Sequence, residues 1–282
     1  MTEWGIALGL FTRILSHLDR HIALGFRTWD FSARSLSHEY GRVFLAQAVL
    51  RHPLHAIRGA LAYRHFARGD LDIGNIRHLY TGDEEAFLYS VAGEPETFLV
   101  GLGFCLKPMT VPHSNPGCPS GRFNHDCEYL SSLEISESTP SPRHPACQGC
   151  LIGEVGVAAL QAGVNMHVLT SAAEIAHDIL FPSLERRRFR HVFFAICPYS
   201  VEPMSLALSI CGLDGYIARY SAGNCVDFEM WIRADRGIKK ERTLLDPPTY
   251  AKLLDTLAEI SRLRSKPARC FRREGNIYIP YT

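Results

Sequence analysis

The chain has 282 residues, of which 46% are hydrophobic and 21% are charged, and its formal net charge is +1. This composition can bury a sizeable core, which excludes a mainly disordered, collagen-like or low-complexity protein. The near-zero charge excludes a polybasic nucleic-acid binder. Nine cysteines, eight of them from Cys105 to Cys225, are the unusual feature. In a reducing compartment they favour metal or redox chemistry over a disulfide framework.

The first 69 residues differ in charge from the rest of the chain. They contain nine Arg, no Lys, four acidic residues and six His, so they carry +5 with His neutral, and the remainder carries −4. Apolar residues near helical spacing predict helices over 5–27, 35–51 and 53–66. We expect residues 1–69 to form a basic helical subdomain. It either caps the main domain or lies on an anionic membrane surface or a partner protein.

Residues 4–18 are apolar, but Arg13 and His17 interrupt them. The uninterrupted run is shorter than the roughly 18 residues that a spanning helix needs, and no convincing signal-peptide cleavage site follows. The sequence therefore predicts a cytoplasmic protein, with peripheral membrane association through residues 1–69 left open. No nucleic-acid partner is predicted, because no recognised binding motif accompanies the arginines.

Residues 70–282 are predicted to form one α/β domain with a cysteine-rich irregular insertion over 105–150. Strands that alternate with helices predict a mainly parallel sheet in a three-layer arrangement. The predicted elements, in chain order, are a helix over 83–91 with Thr81 as N-cap, a strand over 96–105, a helix over 152–162, a strand over 165–170, a helix from Ser171 to about Leu180, a strand over 191–197, a helix over 203–212, strands over 216–220 and 226–233, and a helix over 248–264 with Asp246 as N-cap.

Three cysteines follow predicted strands. Cys105 ends the first strand, Cys197 ends the strand over 191–197, and Cys225 follows the strand over 216–220 after a short turn. Sites in parallel sheets form beyond the carboxyl ends of the strands. We therefore expect these three thiols to bind a cofactor, a second iron–sulfur cluster with one open iron. The alternative is that two of the three are merely buried thiols.

Four further cysteines have the spacing Cys118-x8-Cys127-x19-Cys147-x2-Cys150. Four thiolates in two pairs suit either tetrahedral zinc or a [4Fe–4S] cluster. The x8 gap is wider than in ordinary zinc ribbons, and Cys118 and Cys197 both precede proline, which is familiar in ferredoxin-type loops. The sequence thus favours an iron–sulfur cluster at these four metal ligands. Zinc, or thiols without a metal, are the alternatives.

Polar residues near the cysteines are candidate catalytic groups. His125 and Asp126 could transfer protons, while Lys107 and Arg122 could hold an anionic substrate. A solvated loop side chain is the alternative for each. The chain contains no P-loop, no Gly-x-Gly-x-x-Gly after a strand, no Gly-x-Ser-x-Gly and no His-Glu-x-x-His.

Four cysteine-containing segments stand out together: GFCLKP (103–108), CPSGRFNHDCEYL (118–130), CQGCLIG (147–153) and AICPYSVEP (195–203). Over about 95–235 they resemble an uncharacterised family of archaeal and bacterial proteins with seven cysteines and a membrane-associated type of leader. The family brings no activity with it. The resemblance implies only that seven cysteines act as a set: Cys105, Cys118, Cys127, Cys147, Cys150, Cys197 and Cys225.

The residues predict an iron–sulfur enzyme that performs redox or sulfur-handling chemistry on a small molecule or serves an electron-transfer partner. The alternative is a non-catalytic zinc- or cluster-binding module that docks on a membrane or partner protein through its helical N-terminus. Cys211 lies in an apolar helical run, so we expect a core thiol there. Cys270 lies in a basic tail and is expected to be incidental.

Overall fold

An eight-stranded sheet runs through the middle of the protein, and helices cover both of its faces. The structure is a computed structural model that describes residues 26–68, 72–131, 144–264 and 270–281. The strands of the sheet are β1 (Asp72–Ile73), β2 (Ile76–His78), β3 (Phe98–Gly103), β6 (Asn165–Leu169), β7 (His191–Ile196), β8 (Asp214–Arg219), β9 (Cys270–Glu274) and β10 (Ile277–Tyr281). The remaining two strands, β4 (Thr110–Val111) and β5 (Asn115–Pro116), form a separate two-stranded hairpin.

The sheet is mixed but mostly parallel at its centre. Its strand order is β1-β2-β8-β7-β3-β6-β10-β9, and β8, β7, β3 and β6 pair in parallel. The outer strands join them through antiparallel pairs. The predicted mainly parallel α/β sheet is therefore confirmed. Because the four central strands run the same way, the segments after them all emerge at one edge.

Eleven α-helices lie in the described ranges, and within those ranges none combines the length and apolar character needed to cross a membrane. Two π-helical segments extend them: Leu45–Leu50 continues the second helix, and Ala176–Leu180 joins the seventh to the eighth. The helices are α1 (Phe26–Ser35), α2 (Glu39–Phe44), α3 (Pro53–Arg68), α4 (Glu84–Gly93), α5 (Glu128–Ser131), α6 (Leu151–Gln161), α7 (Ala172–Ile175), α8 (Phe181–Arg186), α9 (Val201–Ile210), α10 (Phe228–Asp235) and α11 (Pro247–Leu263).

Two separate cores lie on the two faces of the sheet. Helices α4, α6 and α11 cover one face, and α11 contributes Leu253, Leu257 and Ile260 at helical spacing. The other face packs against α7 to α9 and the helices that precede β1. There α3 lies directly on α9: a β-carbon added to Gly59 would stand 2.4 Å from the Ile210 Cα.

The described part of the basic N-terminal segment thus belongs to one helical layer over the sheet. Residues 1–25, where most of the first predicted helix falls, lie outside the described residues. The helices predicted over 35–51 and 53–66 correspond to α2 with its π-helical extension and to α3. A domain boundary near residue 69 stays a prediction.

Helix caps show where local sequence was sufficient. The side chains of Ser171 and Asp246 each accept a hydrogen bond from a backbone N–H in the first turn of the next helix, as predicted. At α4 the prediction of Thr81 as N-cap is wrong. Asp83 is the N-cap, and its Oδ1 accepts a bond from the Ala86 N–H at 2.7 Å.

The strand predicted over 226–233 is wrong, because Phe228–Asp235 forms α10. Asp227 caps this helix by accepting a hydrogen bond from the Met230 N–H at 2.8 Å. The apolar residues alternate, but a second apolar set in the same segment has helical spacing: Phe228, Trp231 and Ile232.

The edge strands β1, β2, β9 and β10 were not predicted. β1 and β2 have two and three residues and β9 is rich in charge, so these three lack the apolar run of a central strand, whereas β10 is apolar but contains a proline. One of them reaches the cysteine-rich region: Tyr278 of β10 is fully buried, and its hydroxyl accepts a hydrogen bond from the Cys127 N–H at 2.8 Å.

Candidate functional site

Seven of the cysteines lie in two groups near the ends of the parallel strands. Cys105 follows β3 and lies with Cys197, after β7, and Cys225, after β8, along one large cavity. We call these three the strand-end thiols. The seven cysteines therefore do collect near the ends of the parallel strands, but in two groups. The second group lines a narrow cleft, the four-cysteine cleft: Cys118, Cys127, Cys147 and Cys150.

The four-cysteine cleft is assembled from segments that are far apart in the sequence. Cys118 follows β5 and donates its backbone N–H to the Pro108 carbonyl at 3.1 Å. Cys127 precedes α5, and Cys150 is the N-cap residue of α6. Cys147 ends a short 3₁₀ turn and accepts a backbone bond from the Cys150 N–H at 3.2 Å. The Cys-x2-Cys pair is therefore a tight turn, as a shared ligand site requires.

A buried ammonium group organises the loop that carries the first two cleft cysteines. Lys107 is 1% exposed, and its Nζ donates to the carbonyls of Gly121 at 3.0 Å, Asn124 at 2.9 Å and Asp126 at 2.7 Å. It also contacts the Asn124 Oδ1 at 2.7 Å. Burial lowers the pKa of Lys107, against the opposing effect of the nearby cleft cysteines. Its three N–H donors serve the loop, and a role for Lys107 in holding a substrate stays a prediction.

The other three predicted catalytic residues are also engaged in holding the loop. Arg122 donates from Nη1 to the Lys239 carbonyl at 2.7 Å and from Nη2 to the Cys105 carbonyl at 3.3 Å. Asp126 pairs with Arg273. His125 is buried, and its Nδ1 donates to the Val168 carbonyl at 2.8 Å. None of the four residues lines the large cavity.

Cys127, Cys147 and Cys150 of the cleft are protonated thiols at neutral pH when no metal binds them. Burial, assisted by the neighbouring sulfurs, raises the pKa of Cys127 to about 12 and that of Cys147 to about 11. Burial also raises the pKa of Cys150. A metal that binds these sulfurs must displace their protons, so binding is pH-dependent and releases acid.

The separation of the described cysteine sulfurs bears on whether they form a metal site. Zinc holds each thiolate at about 2.3 Å, which brings its sulfurs within about 4 Å of one another. In the described part of the chain, no three cysteine sulfurs lie within 4.8 Å of one another. A cubane cluster binds each thiolate to a different iron and so accepts a wider set. The described cysteines therefore do not form a compact metal site, and a cluster at these four thiols stays a prediction.

The strand-end thiols have a different environment. The Cys225 N–H contacts the Cys197 sulfur at 3.4 Å, and the Lys239 ammonium lies 3.2 Å from the Cys225 sulfur. A hydrogen bond from the Cys197 thiol, with help from Lys239, outweighs burial and lowers the pKa of Cys225 to about 6. The same contact with Cys225, together with burial, raises the pKa of Cys197. Both shifts favour negative charge on Cys225 and a proton on Cys197.

A tyrosine fixes the two strands that carry Cys105 and Cys197. The Tyr220 hydroxyl accepts a hydrogen bond from the Gly103 N–H at 2.9 Å and donates one to the Ala195 carbonyl. A β-carbon at Gly103 would lie 2.5 Å from this hydroxyl, so only glycine fits there. The cofactor predicted at the strand-end thiols stays a prediction. Without a cofactor, the Lys239 ammonium already stabilises negative charge at the Cys225 sulfur, and the Cys225 N–H contacts the Cys197 sulfur.

The cavity beside the strand-end thiols has a volume of about 680 Å³. Its walls come from the ends of the parallel strands and from the helices before β1, and they are mainly aliphatic and aromatic side chains. Among the described lining residues, the charged ones are Asp235 and Lys239. A large apolar cavity with a few convergent polar groups is the usual form of a small-molecule site.

A histidine–carboxylate group not predicted from the sequence lies next to the cysteine loop. The metal-binding atoms of His125, His167 and Asp178 all lie within 4.8 Å of one another. His167 is fully buried and its Nε2 lies 3.1 Å from the Asp178 Oδ2, while its Nδ1 has no hydrogen-bond partner. A polar residue inside the apolar strand over 165–170 was the available signal. In the described residues this is the one compact group of three such ligands.

Cys211 and Cys270 lie apart from these groups. Cys211 is 4% exposed in the core on the opposite face of the sheet, which confirms the predicted core thiol. Cys270 begins β9, and its side chain lies outside the described residues.

Comparison with known proteins gives no relative from which a function could be carried over. No family model matches the chain, and no curated protein and no solved structure is significantly similar to it. The fold and site define an α/β protein with a cysteine-lined cleft and a thiol-lined apolar cavity at the ends of its parallel strands. Function must therefore be argued from the side chains themselves.

Proposed function

We propose that this protein is an iron–sulfur protein that performs redox or sulfur-handling chemistry on a small molecule. Cys118, Cys127, Cys147 and Cys150 are the proposed cluster ligands. The observation that carries the proposal is the meeting of these four thiols in one cleft. The four thiols come from three separate segments of the chain, so their meeting in one cleft is not expected by chance.

The chain supports this assignment in two further ways. Lys107 lines the cleft near its thiols, where positive charge would stabilise thiolates and an anionic cluster. Backbone carbonyls of the loop surround Lys107, so the loop holds its shape before any metal arrives. A cluster bound at these residues would supply electron transfer.

The small-molecule part of the proposal rests on the cavity. Cys105 lines the cavity and Lys107 lines the cleft, two residues apart in the sequence. A substrate in the cavity and a cluster in the cleft would therefore lie on either side of the same short segment. Such an arrangement suits an enzyme more than a purely structural metal site.

The test is anaerobic purification followed by iron, zinc and acid-labile sulfide analysis and a visible spectrum. We expect about four iron and four sulfide per chain with a broad band near ~400 nm. Cys→Ser at any of the four cleft positions should lower iron content, whereas Cys211→Ser, in the opposite core, should not. One zinc per chain with no visible band would overturn the cluster and favour the zinc-binding module.

A specific observation favours peripheral membrane binding as a second function. Four large apolar side chains near α3 are 58–69% exposed: three recur at intervals of three and four residues along one face of α3, and the fourth ends the π-helical segment just before it. Exposed apolar stripes of this kind on a basic helix are typical of interfacial membrane binding. We call them the apolar stripe: Leu50, Leu54, Ile57 and Leu61.

The surroundings of the apolar stripe fit an anionic lipid surface. Arg51 and Arg58 are exposed beside it, and the segment 1–69 carries a net charge of +5. Co-sedimentation with phosphatidylcholine vesicles containing phosphatidylglycerol should show binding that decreases at high salt. Leu54→Ser with Leu61→Ser should abolish binding, whereas Ile238→Ser, an equally exposed apolar residue elsewhere, should not. Equal binding by both variants would refute this function.

A further inference from the structure

We propose that Cys225 and Cys197 form a dithiol site that exchanges electrons with small apolar disulfides bound in the cavity. The inference rests on the proposed function only for its sulfur-handling chemistry. It does not require the cluster of the four-cysteine cleft, since the two thiols and the cavity lie outside that cleft.

The geometry of the two sulfurs supplies both roles of an exchange reaction. The Lys239 ammonium lies 3.2 Å from the Cys225 sulfur, and the Cys225 backbone N–H donates to the Cys197 sulfur at 3.4 Å. Cys225 is therefore the attacking group, because the cation beside its sulfur stabilises the negative charge of a thiolate. Cys197 is the resolving thiol, because its sulfur lies 3.4 Å from the backbone nitrogen of Cys225 and so close to the residue that it would attack.

The lining of the cavity defines the substrate class. Both sulfurs face a cavity of about 680 Å³ whose described wall contains two charged side chains, Lys239 and Asp235. Asp235 is committed to the backbone, since it accepts a hydrogen bond from the Ala172 N–H at 2.6 Å. An apolar wall disfavours a charged or heavily hydroxylated molecule, whose polar groups would lose water without gaining partners. The substrate is accordingly a disulfide with a hydrocarbon body.

The reaction is balanced without any further reagent. The Cys225 thiolate attacks one sulfur of the disulfide R–S–S–R, which breaks that bond, forms Cys225–S–S–R and releases RS⁻. Cys197 loses its proton to RS⁻ and attacks the Cys225 sulfur, which forms the Cys197–Cys225 disulfide and releases the second RS⁻. Two protein thiols are oxidised and one disulfide is reduced to two thiols, the second of which takes its proton from water.

The third strand-end thiol does not serve as the attacking group. Cys105 is 7% exposed, and burial raises its pKa, although the neighbouring Thr243 and Tyr220 hydroxyls oppose the shift. It is a protonated thiol fixed beside the pair. Exchange at Cys105 in place of Cys197 is therefore a distinguishable outcome.

The test compares two disulfides that differ only at their ends. Dipropyl disulfide and bis(2-hydroxyethyl) disulfide have the same length, but the second replaces each terminal methyl group with a hydroxyl. The full chain, purified anaerobically and reduced, is mixed with each probe, quenched with N-ethylmaleimide and mapped by mass spectrometry. Each rate is divided by the rate of the same probe with N-acetylcysteine, and cluster content is measured on the same samples so that the two proposals fail separately.

We expect a Cys197–Cys225 cross-link that forms about tenfold faster with dipropyl disulfide, after normalisation, because the cavity disfavours the hydroxyl groups. Cys197→Ser should stop at a propylthio adduct on Cys225, and Cys225→Ser should give neither product. Cys211→Ser should behave as the unchanged chain. Ala207→Phe, which adds bulk to the cavity wall, should reduce the preference for the dipropyl probe.

Three results would overturn the inference. The first is a Cys225 that stays unmodified while other cysteines react. The second is a cross-link to Cys105. The third is an equal normalised rate for the two probes, which would mean that the cavity does not select the substrate. Circular dichroism on each variant separates loss of exchange from loss of folding.

Discussion

Replacing Lys107 with methionine is the sharpest test of how the cysteine-rich loop is held. Methionine keeps an unbranched chain of similar length in the buried space but removes the ammonium group. Lys107 makes four contacts of 2.7–3.0 Å to oxygen atoms of the loop. The perturbation therefore removes one charge and leaves these acceptors without their donor.

The size of the effect can be worked out from those contacts. A hydrogen bond to a charged group contributes about 1.5–3 kcal/mol, so four contacts set a generous upper limit. Gly121 and Asp126 are exposed, so water can replace the ammonium at their carbonyls. The cost of burying the ammonium, which lowers the pKa of Lys107, is also recovered. We expect Lys107→Met to lower the free energy of unfolding by about 3 kcal/mol.

Urea denaturation monitored by circular dichroism measures this loss. Lys240→Met is the matched control, because Lys240 is an exposed lysine in a loop and its replacement should change stability by no more than about 0.5 kcal/mol. Iron content gives a second measure, since a loosened loop should also weaken binding of the proposed cluster. A loss below about 1 kcal/mol with normal iron content would show that the buried ammonium does not organise the cleft.

Three further predictions concern other parts of the molecule. Gly59→Ala should lower the free energy of unfolding by about 2 kcal/mol or more, because the added carbon would meet the backbone of α9; Gly93→Ala, a helical glycine with open space around it, should be neutral or stabilising, and the reverse order in urea denaturation would contradict the packing of α3 on α9. Alkylation of Cys225 by iodoacetamide, monitored by peptide mass spectrometry, should be half-maximal near pH 6, since the Cys197 thiol and Lys239 lower its pKa against burial and Asp227; a midpoint above pH 8 would show that Cys225 is not held as a thiolate. The free energy of unfolding should fall as the pH drops below about 6.5. Burial lowers the pKa of His167, so the unfolded chain binds a proton at this histidine at a pH where the folded protein does not. A pH series of unfolding curves checks this, and an unchanged dependence of stability on pH in His167→Asn would refute it.

The architecture could largely be predicted because it is encoded locally. The strands over 96–105 and 191–197 are apolar runs, which is the mark of central strands buried on both faces. Ser171 and Asp246 cap the helices that they precede, and a cap depends only on the next few residues. At 226–233 the sequence carries both an alternating and a helical apolar pattern, and the strand predicted there from local sequence was wrong.

The candidate site was predicted only in part. Strand ends placed Cys105, Cys197 and Cys225 together, because the loops after parallel strands all begin at the same edge of the sheet. Lys239 comes fourteen positions after Cys225, and only the return of the chain brings its ammonium to that sulfur. The number of residues between two positions limits how far apart their side chains can lie, but it does not predict where each side chain points.

The sequence by itself determined that this is an α/β protein with cysteines at the ends of its parallel strands, because apolar periodicity and helix caps act over short distances. The tertiary structure alone decided that the cysteines divide into a cleft and a cavity wall. It also decided that Lys107 folds the loop while Lys239 faces a sulfur. The two lysines have the same chemistry, and their roles differ because one ammonium is enclosed by carbonyl oxygens and the other lies beside a thiolate in an apolar cavity.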